Sequence, residues 1–121
     1  MRLFALRGAN SVQSNRAEDI LSATDELVRE LMSRNDLAAE AMVSCIFTLT
    51  EDLNAEFPAV AARRLGLQHV PLLCAREIPV PGSMPKVIRV LVHYHASDDH
   101  CPAHVYLHGA RSLRSDLDSA Q

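Results

Sequence analysis

Lysine is almost missing from this chain, with Lys86 alone beside eleven arginines. Genomic base composition explains much of that skew, and the remainder suits sites where a planar, forked donor meets a carboxylate. A net charge of −3 excludes the basic face of a general nucleic-acid binder, so any anion site has to be local. No run approaches the roughly eighteen consecutive apolar residues of a membrane helix, and the N-terminus lacks the long apolar core of a secretion signal. The three cysteines, Cys45, Cys74 and Cys101, are odd in number and widely spaced. They supply no disulfide framework and fit a reducing compartment. A cytoplasmic protein is expected, with neither nucleic acid nor membrane as partner. Repeats, low-complexity segments and internal linkers are also missing. The 121 residues suit one domain, 1–121, whose tail from position 109 onward looks loosely held.

Residues 2–7 alternate as a strand, Leu3, Ala5 and Arg7 against Phe4 and Leu6, and Gly8 ends it. Ser14 or Asn15 caps a helix whose inner face is Ile20, Leu21, Thr24, Leu27, Val28, Leu31 and Met32. Asp25 with Arg29 and Glu30 with Arg34 make its solvated outer face. Asn35-Asp36 stops the helix, and 42–50 alternates as a second strand. Phe57-Pro58 opens a short helix ending at Gly66, and 69–77 is a third strand. The turn-rich segment 79–85 leads to strands at 86–95 and 103–108. The order β-α-β-α-β-β-β predicts an α+β fold, a mixed five-stranded sheet with two helices on one face. Helices about 10 Å across cannot cover both faces of a sheet roughly 20 to 25 Å wide. Both faces are nevertheless apolar, with Leu3, Ala5, Val87 and Leu91 on one side and Phe4, Leu6, Ile88, Val90 and Val92 on the other. Another copy of the chain is expected to cover the second face.

The longest apolar run, Val87 to Val92, holds Arg89 at its centre. Arginine does not escape burial by losing its proton, so a guanidinium here calls for a carboxylate or an anionic ligand. Glu77, closing the third strand, is the best internal partner, and Arg7 repeats the theme at the end of the first. The three charged groups suggest one polar pocket, and Cys74 and Tyr106 also lie in or at the ends of predicted strands. Each also has a plainer reading, as an ion pair, a strand end in solvent, a small core residue or a buried ring with its hydroxyl outside. Pattern alone leaves a ligand site and a structural network both open.

Arg7-Gly8-Ala9, Asp52 to Ala59 with Arg63, Val70 to Cys74 with Glu77, Ile88-Arg89-Val90 and His104 to Leu107 resemble, in order and spacing, the monofunctional chorismate mutases of the Bacillus type. The resemblance runs from residue 3 to around 117. It implies an isomerase converting chorismate to prephenate on the route to phenylalanine and tyrosine, with no cofactor and no metal. It implies a homotrimer whose sheets build a pseudo-α/β barrel, with sites at the subunit interfaces. The implied catalytic residues are Arg89 at the breaking ether bond, Arg7 and Tyr106 on a substrate carboxylate, and Glu77 and Cys74 near the ring hydroxyl and the ring. Phe57, Ala59, Arg63 and Leu73 would form the opposite wall from the neighbouring chain. Ala75 and Arg76 would also touch substrate, and Leu113 with Arg114 would close over it. Val60 stands where such proteins often carry lysine at the rim, and Leu73 replaces a more polar residue of some members. The proline-rich loop 79–85 is expected to stay clear of the chemistry.

Other readings are weaker on the residues. His93 and His95 share a strand face and Cys101 and His104 follow, but the spacing matches no familiar closed zinc site, and solvent-facing histidines explain it more simply. Cys74 as a nucleophile needs an activating histidine, and nothing brings His69 to it. A non-catalytic trimeric module binding a carboxylate metabolite is a rival of another class. The set of Arg7, Glu77, Arg89 and Tyr106 favours the mutase.

Overall fold

In the computed structural model, which describes residues 1–113, five strands make one mixed sheet: β1 (Arg2–Ser11), β2 (Met42–Leu49), β3 (Leu72–Arg76), β4 (Val87–Ala96) and β5 (Val105–Leu107). Their order is β3-β2-β4-β1-β5. Strand β4 runs antiparallel to β1 and β2, while β3 joins β2 and β5 joins β1 in parallel. Helices α1 (Ala17–Arg34) and α2 (Pro58–Arg64) pack together on one face.

Period-two alternation decides what lies beneath the helices. Phe4 and Leu6 of β1, Cys45 and Phe47 of β2, and Ile88, Val90, Val92 and Tyr94 of β4 are buried against Ile20, Leu27, Val28 and Leu31 of α1 and Ala62 of α2. Full burial of a side chain such as Leu27 or Phe47 contributes about 1.5–3 kcal/mol, so this layer dominates the stability. The exposed face of α1 carries the expected ion pairs, Asp25–Arg29 at 2.8 Å and Glu30–Arg34 at 2.6 Å.

Three local expectations change. Strand β1 continues through Gly8 to Ser11. A Cβ at Gly8 would lie 3.0 Å from Leu27 Cδ1 and 3.1 Å from Val105 O, so this glycine serves the close approach of α1 and β5, not a turn. The N-cap of α1 is Arg16, without a side-chain cap. The Ser14 hydroxyl instead donates to Asp19, and Asn15 Oδ1 accepts the N–H groups of Asn54 and Ala55 at 2.9 and 3.0 Å, tying this loop to the segment before α2. Residues 109–113, expected to begin a loose tail, start within a 3-10 turn at His108–Arg111 and place Ala110 and Leu113 in a small cluster with Ala9, Val87, Tyr106 and Met84.

That cluster fills one corner of the second sheet face. The rest of the face is open: Leu3 is 54% and Leu73 60% exposed, Ala5 and Arg7 are exposed, and Ile46 and Leu91 are half-buried. No described helix is long and apolar enough to cross a membrane.

Candidate active site

Strand register draws a line of residues across the open face. Tyr106 pairs with Ala9, Ala9 with Arg89, Arg89 with Thr48, and Thr48 with Ala75. At about 4.8 Å per strand, the Cα atoms of Tyr106 and Arg89 stand roughly 10 Å apart. Arg7, two residues before Ala9 on the same face, pairs with Leu91, and its N–H donates to His104 Nδ1 at 3.0 Å.

Just past β3, the Glu77 N–H donates to Leu49 O at 2.9 Å, which keeps the chain extended and puts Glu77 on the side of Ala75. Arg89 Nε meets Glu77 Oε2 at 3.1 Å, and the Thr48 hydroxyl donates to that same oxygen. The expected internal partner is therefore in place. The expected enclosure is not: the Arg89 side chain is 45% exposed and Glu77 18%. Alternation puts Arg89 on the face that this chain leaves open, so its neighbours in the apolar run are buried and it is not.

Beside the pair opens a cleft of about 610 Å³, within the usual range for small-molecule sites. Glu77, Arg89, Thr50, Glu51 and Asp52 line it together with 78–85. The proline-rich loop thus forms a wall of the candidate site, contrary to the expectation that it stands clear. Asp52 pins the loop's end, accepting the Lys86 N–H at 3.0 and 3.2 Å and the Thr50 hydroxyl at 2.6 Å. Burial pushes the Asp52 carboxyl up. Hydrogen bonds from Thr50 and from backbone N–H groups, with the Lys86 charge, outweigh it and hold the carboxyl below its usual value.

A second group gathers at the β3 edge. Leu49, Phe57, Cys74, Ala75 and Arg76 line a shallow hollow of about 200 Å³, which shares no residue with the cleft. Cys74 pairs with Phe47 and packs against the helix-side core, so it does not join Arg89 and Glu77 as expected of a catalytic residue in one chain. Phe57, preceding α2, is 65% exposed. Arg63 is exposed on α2, but Ala59 is buried and Leu73 lies on the open sheet face. Leu113 packs against the cluster that holds Tyr106, and Arg114 lies outside the described residues.

Sequence pattern does not mark Thr48 or Met84 for the site, and it gives Asp52 only as the first residue of a motif. Thr48 had a signal, a polar residue alternating outward on β2, but its place opposite Arg89 depends on pairing register. His93 Nδ1 lies 3.2 Å from the Ser44 hydroxyl, and among the described residues no group of three His, Cys, Asp or Glu side chains is set to hold a metal ion. Burial first, then electrostatic repulsion with the neighbouring Cys74, pushes the Cys45 thiol up to about 12, which leaves it inert at neutral pH.

Residues 3–117 match the family described as chorismate mutase type I. The chain is 48% identical over 118 residues to chorismate mutase AroH of Thermus thermophilus, covering 96% of this chain and 97% of that one. It is 38% identical over 120 residues to chorismate mutase AroH of Bacillus subtilis (strain 168), covering 97% and 94%. A solved chorismate mutase from Clostridium thermocellum superposes with a TM-score of 0.87 at 44% identity, over 91% of this chain and 99% of the other.

Proposed function

The chain belongs to the chorismate mutase type I family, and from that premise we infer how its cleft converts chorismate to prephenate. The activity is that of an isomerase. The enol-pyruvyl ether C–O bond breaks while a C–C bond forms within the same molecule, so no proton, electron or group passes to the protein. What a protein can supply is a compact substrate conformation and a fixed cation where negative charge collects on the ether oxygen.

The observation that carries the assignment is the Arg89–Glu77 pair on the cleft wall. With Nε engaged by Glu77, the Nη groups of Arg89 remain for the ether oxygen. Arg7 and Tyr106, on the same sheet face, take the role of holding a substrate carboxylate, and Glu77 accepts from the ring hydroxyl. Phe57, Cys74, Ala75 and Arg76, with Arg63 and Leu73, are proposed as the wall that a neighbouring copy provides. Two observations support this: the hollow and the cleft share no residue, and the sheet face around Arg7 and Leu73 is uncovered. Three copies joined through those faces, each a single domain of residues 1–121, would complete a pseudo-α/β barrel with a site at every interface. Leu113, packed against the cluster that holds Tyr106, and Arg114 after it are the proposed closing segment. Three free cysteines fit a cytoplasmic setting.

Purified protein mixed with chorismate tests the reading directly. The ultraviolet absorbance of chorismate should fall as prephenate accumulates, and an absorbance that stays level in the presence of folded protein overturns it.

A further inference from the structure

We propose that Thr48 is a positioning residue for Glu77, pinning one carboxylate oxygen so that the other is presented to the ring hydroxyl of the substrate. The proposal deepens the mutase reading and rests on it for the identity of the ligand. Thr48 lies on β2 directly opposite Arg89 of β4 and beside Ala75 of β3, two residues before Glu77. Its hydroxyl donates to Glu77 Oε2, the atom that Arg89 Nε approaches at 3.1 Å. One hydrogen bond from β2 and one ion-pair contact from β4, converging on the same oxygen, restrict the rotation of the carboxylate.

Among the described residues no hydrogen bond reaches Oε1. A carboxylate is an acceptor only, so Oε1 is satisfied by a ligand hydroxyl and repelled by an ether, a ketone or another carboxylate at that place. The same bond steadies Arg89. A half-exposed arginine otherwise samples many rotamers, and a pair held by one contact in solvent contributes little order. With Glu77 anchored to the sheet through Thr48, the guanidinium has a fixed counter-charge to register against.

Thr48→Val removes the hydroxyl and keeps the β-branched shape, whereas Thr48→Ser keeps the hydroxyl. The valine variant should lose about tenfold in kcat/KM, mainly through kcat, because the alignment of Arg89 counts where charge develops. The serine variant should stay close to wild type. In a Glu77→Ala background the valine change should cost nothing more, since its effect passes through the carboxylate. Solvent exchange of the Arg89 Nε–H, followed by NMR on the free protein, should quicken in Thr48→Val and not in Thr48→Ser.

A valine variant within about twofold of wild type in kcat/KM, or one equally impaired with and without Glu77, would show that Thr48 acts only by packing and would overturn the proposal. Wild-type protein that leaves chorismate unchanged would sink the mutase reading instead. The positioning of Glu77 would then stand or fall on the exchange of the Arg89 Nε–H alone.

Discussion

Replacing Arg89 by alanine separates catalysis from folding, because its geometry makes the two costs very different. In the folded chain Arg89 is 45% exposed and has one carboxylate partner at 3.1 Å. A pair this open to water contributes about 0–1 kcal/mol to stability. Glu77 keeps the Thr48 hydroxyl after the change, so no buried carboxylate is stranded without a donor. In the proposed transition state the same guanidinium faces charge that is still forming, in a site from which substrate would displace water. Loss of one preorganised donor there costs about 2.7–4 kcal/mol, or roughly 10² to 10³ in kcat. Urea unfolding should therefore change by at most about 1 kcal/mol, while the rate of chorismate absorbance loss falls by at least about a hundredfold. Arg89→Lys should also be poor, since a flexible point charge does not reproduce the planar fork. A folded Arg89→Ala protein with near-normal kcat would refute the assigned role. A loss of stability well beyond that of an exposed pair would show that the Arg89–Glu77 contact is structural.

Gly8→Ala should destabilise by about 1–3 kcal/mol in chemical unfolding, because its Cβ would meet Leu27 Cδ1 at 3.0 Å and Val105 O at 3.1 Å; an unchanged midpoint would mean that α1 moves freely away from β1. Val60→Lys should lower KM and leave kcat alone, a gain that shrinks with added salt, since a rim charge attracts substrate and transition state alike. Steady-state kinetics at two ionic strengths will show whether it does. Arg89→Ala and Arg63→Asp subunits, each weak alone, should recover roughly a quarter of wild-type activity when denatured together and refolded, the share of interfaces that regain both intact halves in a random three-fold ring. Recovery no greater than the parents would place both residues in one chain's site, or Arg63 outside it. The Cys45 thiol, raised from an ordinary 9.0 to about 12 by burial, contributes stability that is whole below the unfolded value and is lost as pH climbs towards the folded one. Stability should fall by about 1.4 kcal/mol per pH unit across that window from this group, and Cys45→Ala should show a shallower alkaline slope.

Much of the candidate site was legible because its residues stand out against their local pattern. A charge in the middle of Val87 to Val92 is visible in the sequence, and the pairing of Arg89 with Glu77 follows from the demand of a guanidinium for a carboxylate. Cys74 was misplaced relative to that pair for an equally physical reason. Its neighbours Leu73 and Ala75 face one side of β3 and it faces the other, and a short apolar strand does not announce which side is which. Gly8 looks like a stop in the sequence because the missing Cβ that permits a turn also permits close packing, and only the nearby Leu27 side chain and Val105 carbonyl tell the two apart. The loop 79–85 looks like a bare connection in the sequence because proline and glycine reveal where a chain turns, not what the turn borders.

Alternation along β1 and β4, the apolar stripe of α1, the unmatched second sheet face and the need of Arg89 for an anion are properties of residues a few positions apart, and the sequence determined them by itself. The line from Tyr106 through Ala9, Arg89 and Thr48 to Ala75, the convergence of Thr48 and Arg89 on one oxygen of Glu77, and the separation of the cleft from the hollow by Phe57 were decided only in the tertiary structure. They depend on which strands are neighbours and in what register, set by contacts between residues far apart in the chain. A slip of one residue in β2 would leave its local pattern intact in the sequence yet turn Thr48 to the helix side.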